Sequence, residues 1–401
     1  MSDYSYTYLI VGGGLAGASA AAGIREVDKK GTVLILGEES YPAYDRPSLT
    51  KKLWFGQKKV EEIFLYDQNF YDGNGINVAL GTRATGIDIS RKILTDDRGN
   101  TYHFQKLLLA TGGVPRTLSI PGGNLPGIYY FRYLDDYLKL RKEAGEGKTA
   151  LVIGGGFIGS EIAAALTINK MHAVMLFPES YLCFRIFPND FGRAIQKRFL
   201  DKGVKVFFEE KLVSISRQGN MFVTRTDTGK QIASDMVIVG IGIVPSVKLG
   251  VMANITTGNG IVVNEYLQTS HPDMYAAGDN ALFPYQVLGK SMRVEHWDNA
   301  INQGKQAGRN MAGAGEQYTY MPYFFSDLFE FGYEAVGDVN SEHETFADWQ
   351  KENDTGVIYY LSGGKVQGAM MCNVWNKVEA ARDLIRRGEK VTPETLRGAI
   401  R

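Results

Sequence analysis

Two segments of this chain repeat one pattern. YLIVGGGLAGASAAAGI, from Tyr8, and ALVIGGGFIGSEIAAAL, from Ala150, each pass from an aliphatic block through three glycines into a run of small residues. An apolar block of that length bounded by glycine reads as a buried parallel strand, and the small residues after it read as a helix packed closely on the strand. A third stretch, LLLATGG at 107–113, has the strand and the turn without the helix. Strand, tight turn and helix in alternation indicate an α/β architecture.

Within each unit the glycines have the spacing of a dinucleotide fingerprint. Gly12, Gly14 and Gly17 form the first, and Gly154, Gly156 and Gly159 the second. The first glycine of such a motif allows the turn, the second lets the backbone approach a pyrophosphate, and the third brings helix against strand. The helix N-terminus then offers N–H groups and positive dipole to the phosphates. The motif also requires an acid about 20 positions on, at the end of the next strand. VLILGEE supplies Glu38 and AVMLFPES supplies Glu179. A carboxylate there accepts hydrogen bonds from a free ribose 2′-hydroxyl and repels a 2′-phosphate, so Glu179 favours NADH over NADPH, with Arg185 nearby to soften the preference. Two fingerprints on one chain imply two dinucleotides, one a flavin (FAD) and one a nicotinamide, NAD(H). The protein then supplies position and electrostatics while the cofactors carry the redox chemistry.

The two runs start too far apart for a solenoid repeat and fit two related nucleotide-binding domains in tandem. From about residue 317 the texture changes. FFSDLFEFGYEAVGDV and TGVIYYLSGGKVQGAMM are rich in aromatic and β-branched residues and read as antiparallel strands, with a Ser-Gly-Gly turn inside the second stretch. A helix is expected over 376–387, with Val378, Ala381, Leu384 and Ile385 on one face. The expected layout is an FAD-binding domain from 1–115 and 250–316, an NAD(H)-binding domain from 116–249 and a C-terminal α+β interface domain from 317–401.

Composition excludes several chemistries. Lys+Arg and Asp+Glu both total 44, which argues against a general nucleic-acid or anionic-membrane binder. Cys183 and Cys372 are far apart and form no CxxC, so a disulfide framework, a cysteine-rich metal site and a thioredoxin-type dithiol are all out. His103, His172, His271, His296 and His343 have no HExxH spacing, so no metal site is expected. No apolar run reaches the ~18 residues of a membrane span. The first strand begins too early to leave room for a leader peptide, so a cytoplasmic protein is expected.

YDRPSLTKKLW at 44–54, ATGGVPR at 110–116, GGGFIGSE at 154–161 and AAGDNALF at 276–283 together resemble the FAD- and NAD-dependent ferredoxin and rubredoxin reductases. FPES followed by RIFP at 185–188, RVEHWDNA at 293–300 and FFSDLFEFGYEAVGDV at 324–339 are similar, in order and spacing, to the apoptosis-inducing-factor branch of that family. The resemblance runs from about 5 to 390. It implies that Asp279 bonds the FAD ribityl or pyrophosphate region and that Arg46 and Arg116 contact the FAD phosphates or the flavin surroundings. It further implies that Ala84, Thr111, Gly112 and Gly242 belong to the cofactor-binding positions. Lys51 matches a lysine beside flavin N5 that pairs with Glu161. Phe157 matches an aromatic that shields the nicotinamide, and Glu295 and His296 match residues on the other side of the flavin. On this resemblance Lys51, Glu161, Phe157 and His296 are the catalytic residues.

The chain also departs from that branch. Its mitochondrial members carry targeting and anchoring segments before the core and a long insertion in the last domain, where this chain has only the short polar EHETFADWQKEND at 342–354. Phe325 stands where those members have a tryptophan near the nicotinamide. With no cysteine pair, electrons from the flavin must go outward. The expected function is an NADH oxidoreductase that passes electrons to a ferredoxin or rubredoxin, a quinone or oxygen. The alternative is a slow redox sensor that holds a stable reduced-flavin–NAD charge-transfer complex and controls homodimerisation or partner binding in response to NADH.

Overall fold

A computed structural model describes residues 2–400. The chain divides into two units. The first takes residues 1–45, 60–114 and 244–322, and the second takes 46–59, 115–243 and 323–401.

The first unit is built on a seven-stranded sheet. Its parallel part runs Ile76–Ala79, Val33–Leu36, Asp3–Val11, Thr101–Leu109 and Met274–Ala276. Leu9 lies opposite Leu34 on one side and Leu107 on the other, and all three are buried. Strands covered on both faces need this near-continuous apolar character. Thr101–Leu109 serves two neighbours. Its N-terminal half pairs antiparallel with Ile93–Asp96, and its C-terminal half pairs parallel with Met274–Ala276.

The helix Leu15–Val27 that follows the first glycine loop packs on helix Trp297–Met311 almost backbone to backbone. A side-chain carbon on Gly304 would lie 2.2 Å from the Ala16 carbonyl oxygen, and one on Gly308 would lie 1.9 Å from that of Ala20. The alanine run of the first helix and the glycines of the second are what let the helices approach this closely.

The second unit holds a five-stranded parallel sheet in the order Lys205–Phe207, His172–Leu176, Thr149–Ile153, Met236–Val239, Ile128–Tyr130. A three-stranded antiparallel sheet, Leu212–Gln218, Met221–Thr226 and Gln231–Ser234, closes over it. Its Ile215, Phe222 and Ile232 share one core with Leu151, Val174, Leu176 and Val237.

The same unit ends in a five-stranded antiparallel sheet ordered Tyr323–Leu328, Phe331–Gly337, Lys365–Cys372, Thr355–Ser362, Glu344–Lys351. Gly363 and Gly364, at φ 58° and 74°, make the two-residue turn between Thr355–Ser362 and Lys365–Cys372, a conformation that needs positive φ at both positions. The helix after the sheet spans Val378–Arg387 and buries Ala381 and Ile385. One strand differs from expectation. Glu344–Lys351 lies inside the stretch read as a short polar connection. It is an edge strand, and the charges of Glu344, Asp348 and Lys351 on a strand without a buried residue are how an edge resists further pairing. Among the described residues no helix is long and apolar enough to cross a membrane.

Candidate active site

The two glycine loops solve the same steric problem with the same three positions. Gly12 has φ +126° and Gly154 φ +113°. A side-chain carbon there would lie 2.0 Å from the Ala110 carbonyl oxygen or 2.4 Å from that of Gly240. Gly17 and Gly159 each press on the start of their own loop, where an added carbon would fall 1.9 Å from Gly12 O or 2.0 Å from Gly154 O. Gly14 and Gly156 have nothing within 4 Å in the same direction. Each loop therefore packs tightly at its first and third glycines and opens at the second, at the N-terminus of a helix, Leu15–Val27 or Phe157–Ile168. An open N–H-rich helix end is an anion cradle.

Around the first loop, Glu38 is exposed just past the strand Val33–Leu36. Thr111 Oγ1 donates to Ser246 O at 2.7 Å, and the Ser246 N–H donates to Gly112 O at 2.8 Å. Asn280 Nδ2 donates to Leu109 O and to Thr111 Oγ1, both at 3.0 Å. Arg293 Nη1 donates to the carbonyl of Asp279 at 2.9 Å and to the exposed carboxylate of Glu295 at 2.5 Å. Two buried polar atoms here have no partner, Asn280 Oδ1 and Arg293 Nε. His296 stands at the N-cap position of helix Trp297–Met311, and burial pushes its imidazole down to about 4 against the opposing pull of Asp279. Ala84 opens the strand Ala84–Asp88 opposite Asp96, in the antiparallel part of the sheet.

In the second unit, Glu161 lies on the first turns of the helix that leaves the second loop and is 5% exposed. Lys51, 4% exposed, reaches Glu161 Oε1 at 2.6 Å. Ser326 Oγ donates to the same oxygen at 2.6 Å, and Thr50 Oγ1 donates to Oε2 at 2.5 Å. The carboxylate is thus held by a cation and two hydroxyls, which is what a buried charge needs. The Lys51 ammonium also stands 4.9 Å over the Phe325 ring. Phe157 packs edge-on against Phe324, ring centres 5.4 Å apart. Asp327, beside this cluster, has its carboxyl pushed up by burial, with Lys51 pulling it down.

Elsewhere in this unit, Arg46 donates to Arg132 O at 3.1 Å and covers the Tyr133 ring at 5.5 Å. The Arg116 N–H donates to Gly242 O at 2.9 Å. Glu179 lies half-buried just past His172–Leu176, and Arg185 is exposed. The structure therefore gathers Lys51, Glu161 and Phe325 into one buried cluster. Arg46 lies on Arg132 and Tyr133, and Arg116 on Gly242.

The open second glycines, the acids past the next strands and the two unpaired buried atoms beside Asp279 and Glu295 fit bound dinucleotides. Residues 6–304 match the family described as pyridine nucleotide-disulphide oxidoreductase. The chain belongs to that family. Residues 307–355 match the C-terminal family of mitochondrion-associated apoptosis-inducing factor. Apoptosis-inducing factor 1 of Dictyostelium discoideum is 34% identical over 95% of this chain and 78% of its own length. Rubredoxin-NAD(+) reductase of Pseudomonas putida is 32% identical over 80% of this chain and 83% of its own. Among solved structures, putidaredoxin reductase in its covalent complex with putidaredoxin superimposes with a TM-score of 0.91 at 26% identity, covering 97% of this chain and 95% of that one. As in its family, the cofactors are FAD and NAD(H), and the chain is an oxidoreductase.

The disulphide in the family's description has no counterpart in the chemistry of this chain. Cys183 and Cys372 are free and buried, and burial pushes the Cys183 thiol up to about 12 and Cys372 well above its ordinary value. Thr50, Ser326, Asn280 and Arg293 are the residues that sequence reasoning passed over. All four sit inside the stretches that carry the family resemblance, within two positions of residues named above. That adjacency is the only sequence signal they give.

Proposed function

We propose that this chain draws reducing equivalents from NADH at the second glycine loop and delivers electrons to a small external redox protein of the rubredoxin or ferredoxin class. NADH supplies a hydride and FAD converts that two-electron step into electrons for the acceptor. The observation that carries this reading is the buried Lys51–Glu161 pair, with Glu161 on the helix that starts at the second loop, because a fixed cation there favours a neighbouring group that gains negative charge. Glu161, Thr50 and Ser326 hold Lys51 in place. The apolar ring of Phe325 lies against the Lys51 ammonium, which strengthens the electrostatic contacts beside it. Glu179 selects a free ribose hydroxyl, making NADH the better donor. Residues 1–115 and 250–316 then hold FAD, and 116–249 hold NAD(H). The relatives named as a rubredoxin reductase and a putidaredoxin reductase support the class of acceptor.

The decisive experiment is anaerobic stopped-flow reduction by NADH followed by mixing with rubredoxin, ferredoxin, a quinone or oxygen. Fast reoxidation by an iron–sulfur protein or rubredoxin supports the reading, and flavin that NADH leaves oxidised overturns it. A second reading is favoured by the apoptosis-inducing-factor match at 307–355: a slow redox sensor whose NADH-reduced form dimerises. Slow reoxidation by every acceptor, with a rise in mass on adding NADH, would select that reading.

A further inference from the structure

The turn from Cys183 to Phe187 is anchored at one end to the second glycine loop. The Cys183 N–H donates to Gly155 O at 2.7 Å, and its sulfur lies 3.8 Å from Ser160 Oγ. The turn closes on itself through the N–H groups of Ile186 and Phe187, which donate to Cys183 O at 2.9 and 3.0 Å. Cys183 has φ +54°, left-handed backbone that a residue other than glycine keeps only where its surroundings enforce it.

The enforcement comes from the C-terminal sheet. Three consecutive carbonyls beyond Cys183 are each taken by a donor from that sheet or its loop. Ser341 Oγ donates to Phe184 O at 2.7 Å, the Ser341 N–H to Arg185 O at 3.0 Å, and Tyr360 Oη to Ile186 O at 2.7 Å. The loop that presents Ser341 is itself ordered. Asn340 Oδ1 accepts from the Glu342 N–H at 3.0 Å, the His343 N–H donates to Asn340 O at 3.0 Å, and the His343 ring pairs with Asp338 at 2.7 Å. Phe184 is 43% exposed and Arg185 is exposed, so water would satisfy these carbonyls if the sheet did not. Their uniform capture by protein donors fixes the turn's position and with it the carbonyl of Gly155 in the phosphate loop.

We propose that Ser341, with Tyr360, is a positioning residue for NAD(H): the C-terminal sheet sets the second glycine loop through the Cys183–Phe187 turn. The inference rests on the reading of that loop as the NAD(H) site. Its effect falls on dinucleotide binding and not on the transfer step, because none of its hydrogen bonds reaches the Lys51–Glu161 cluster.

The test is stopped-flow reduction by NADH of the FAD-loaded protein, comparing wild type with Ser341→Ala, Tyr360→Phe and the conservative Ser341→Thr. Loss of one such hydrogen bond weakens apparent NADH binding by about two- to tenfold. The limiting rate of reduction at saturating NADH stays at the wild-type value, and Ser341→Thr restores the binding. A purely structural tie would lower thermal stability and leave the apparent Kd alone. An unchanged Kd in folded Ser341→Ala and Tyr360→Phe overturns the proposal, as does a fall in the limiting rate with Kd unmoved. Tyr360→Phe removes a single hydroxyl and carries the test if Ser341→Ala does not fold. Wild-type protein that NADH fails to reduce would instead sink the reading of the second loop itself.

Discussion

The Lys51 ammonium and the Glu161 carboxylate meet at 2.6 Å inside the protein, each almost fully removed from solvent. An ion pair in that position is poor evidence of stability, since well-packed apolar side chains often do as well. Its value is directional. Glu161 is fixed by two hydroxyls besides Lys51, so the ammonium is aimed and cannot wander to water.

Removing one partner should leave the other buried and alone. Lys51→Ala and Glu161→Ala should each cost about 3–5 kcal/mol, divided between stability and the rate of flavin reduction by NADH. The double variant should cost less than the sum of the two, with a coupling of ~0.5–3 kcal/mol. Strict additivity in both urea melts and reduction rates, with FAD still bound, would mean that the pair does no joint work.

The ribose acid of the second fingerprint should set the choice of donor. Glu179→Ser should narrow the preference for NADH over NADPH, because it removes the carboxylate that opposes a 2′-phosphate. Glu179→Arg should narrow it further or invert it. The ratio of kcat/KM for the two donors is the measurement, and a ratio equal to wild type in both variants would show that Glu179 does not face the ribose.

The glycine loops were legible in the sequence because backbone sterics leave few alternatives: Gly12 and Gly154 sit at positive φ against a neighbouring carbonyl, where a side chain has no room. The strand Glu344–Lys351 was not, because Glu344, Asp348 and Lys351, charges that a sheet edge tolerates, make it look like a polar connection. Thr50 and Ser326 were not legible for a different reason. They lie 111 and 165 positions from Glu161, and no local rule says which distant hydroxyl will meet a given carboxylate. Lys51, Glu161 and their pairing came from the family resemblance, and the structure brings the two together at 2.6 Å.

Neither thiol should behave as a redox group. Burial keeps Cys183 and Cys372 protonated far above neutral pH, and the thiolate is the nucleophile. Native protein at pH 8 should resist iodoacetamide, and unfolding should expose both sulfurs to it. Cys183→Ser with Cys372→Ser should leave flavin reduction by NADH near the wild-type rate. Rapid labelling of the native protein, or a folded double variant that NADH cannot reduce, would revive a thiol relay.

His296 gives a pH dependence whose sign follows from its surroundings. Its ordinary value of 6.5 falls to about 4 because burial penalises the imidazolium, and Asp279 only partly offsets that. The folded protein therefore binds this proton less readily than the unfolded chain does. The stability contributed by the neutral ring is fully present above about pH 6.5 and is lost as the pH falls through about 4. At neutral pH the ring is uncharged, so it meets its neighbours as a neutral imidazole and not as a cation. Carboxylates titrate in the same window, so the wild-type curve alone cannot isolate the effect. His296→Gln keeps a polar side chain of similar reach without the titration. Urea melts of the FAD-loaded proteins between pH 7 and 4 should show the wild type losing more stability than the variant, by at most about 3 kcal/mol, since the ring is partly solvated. Parallel curves would mean that His296 charges as readily in the folded protein as in the unfolded chain, and the assignment of a neutral imidazole at this site would fall with them.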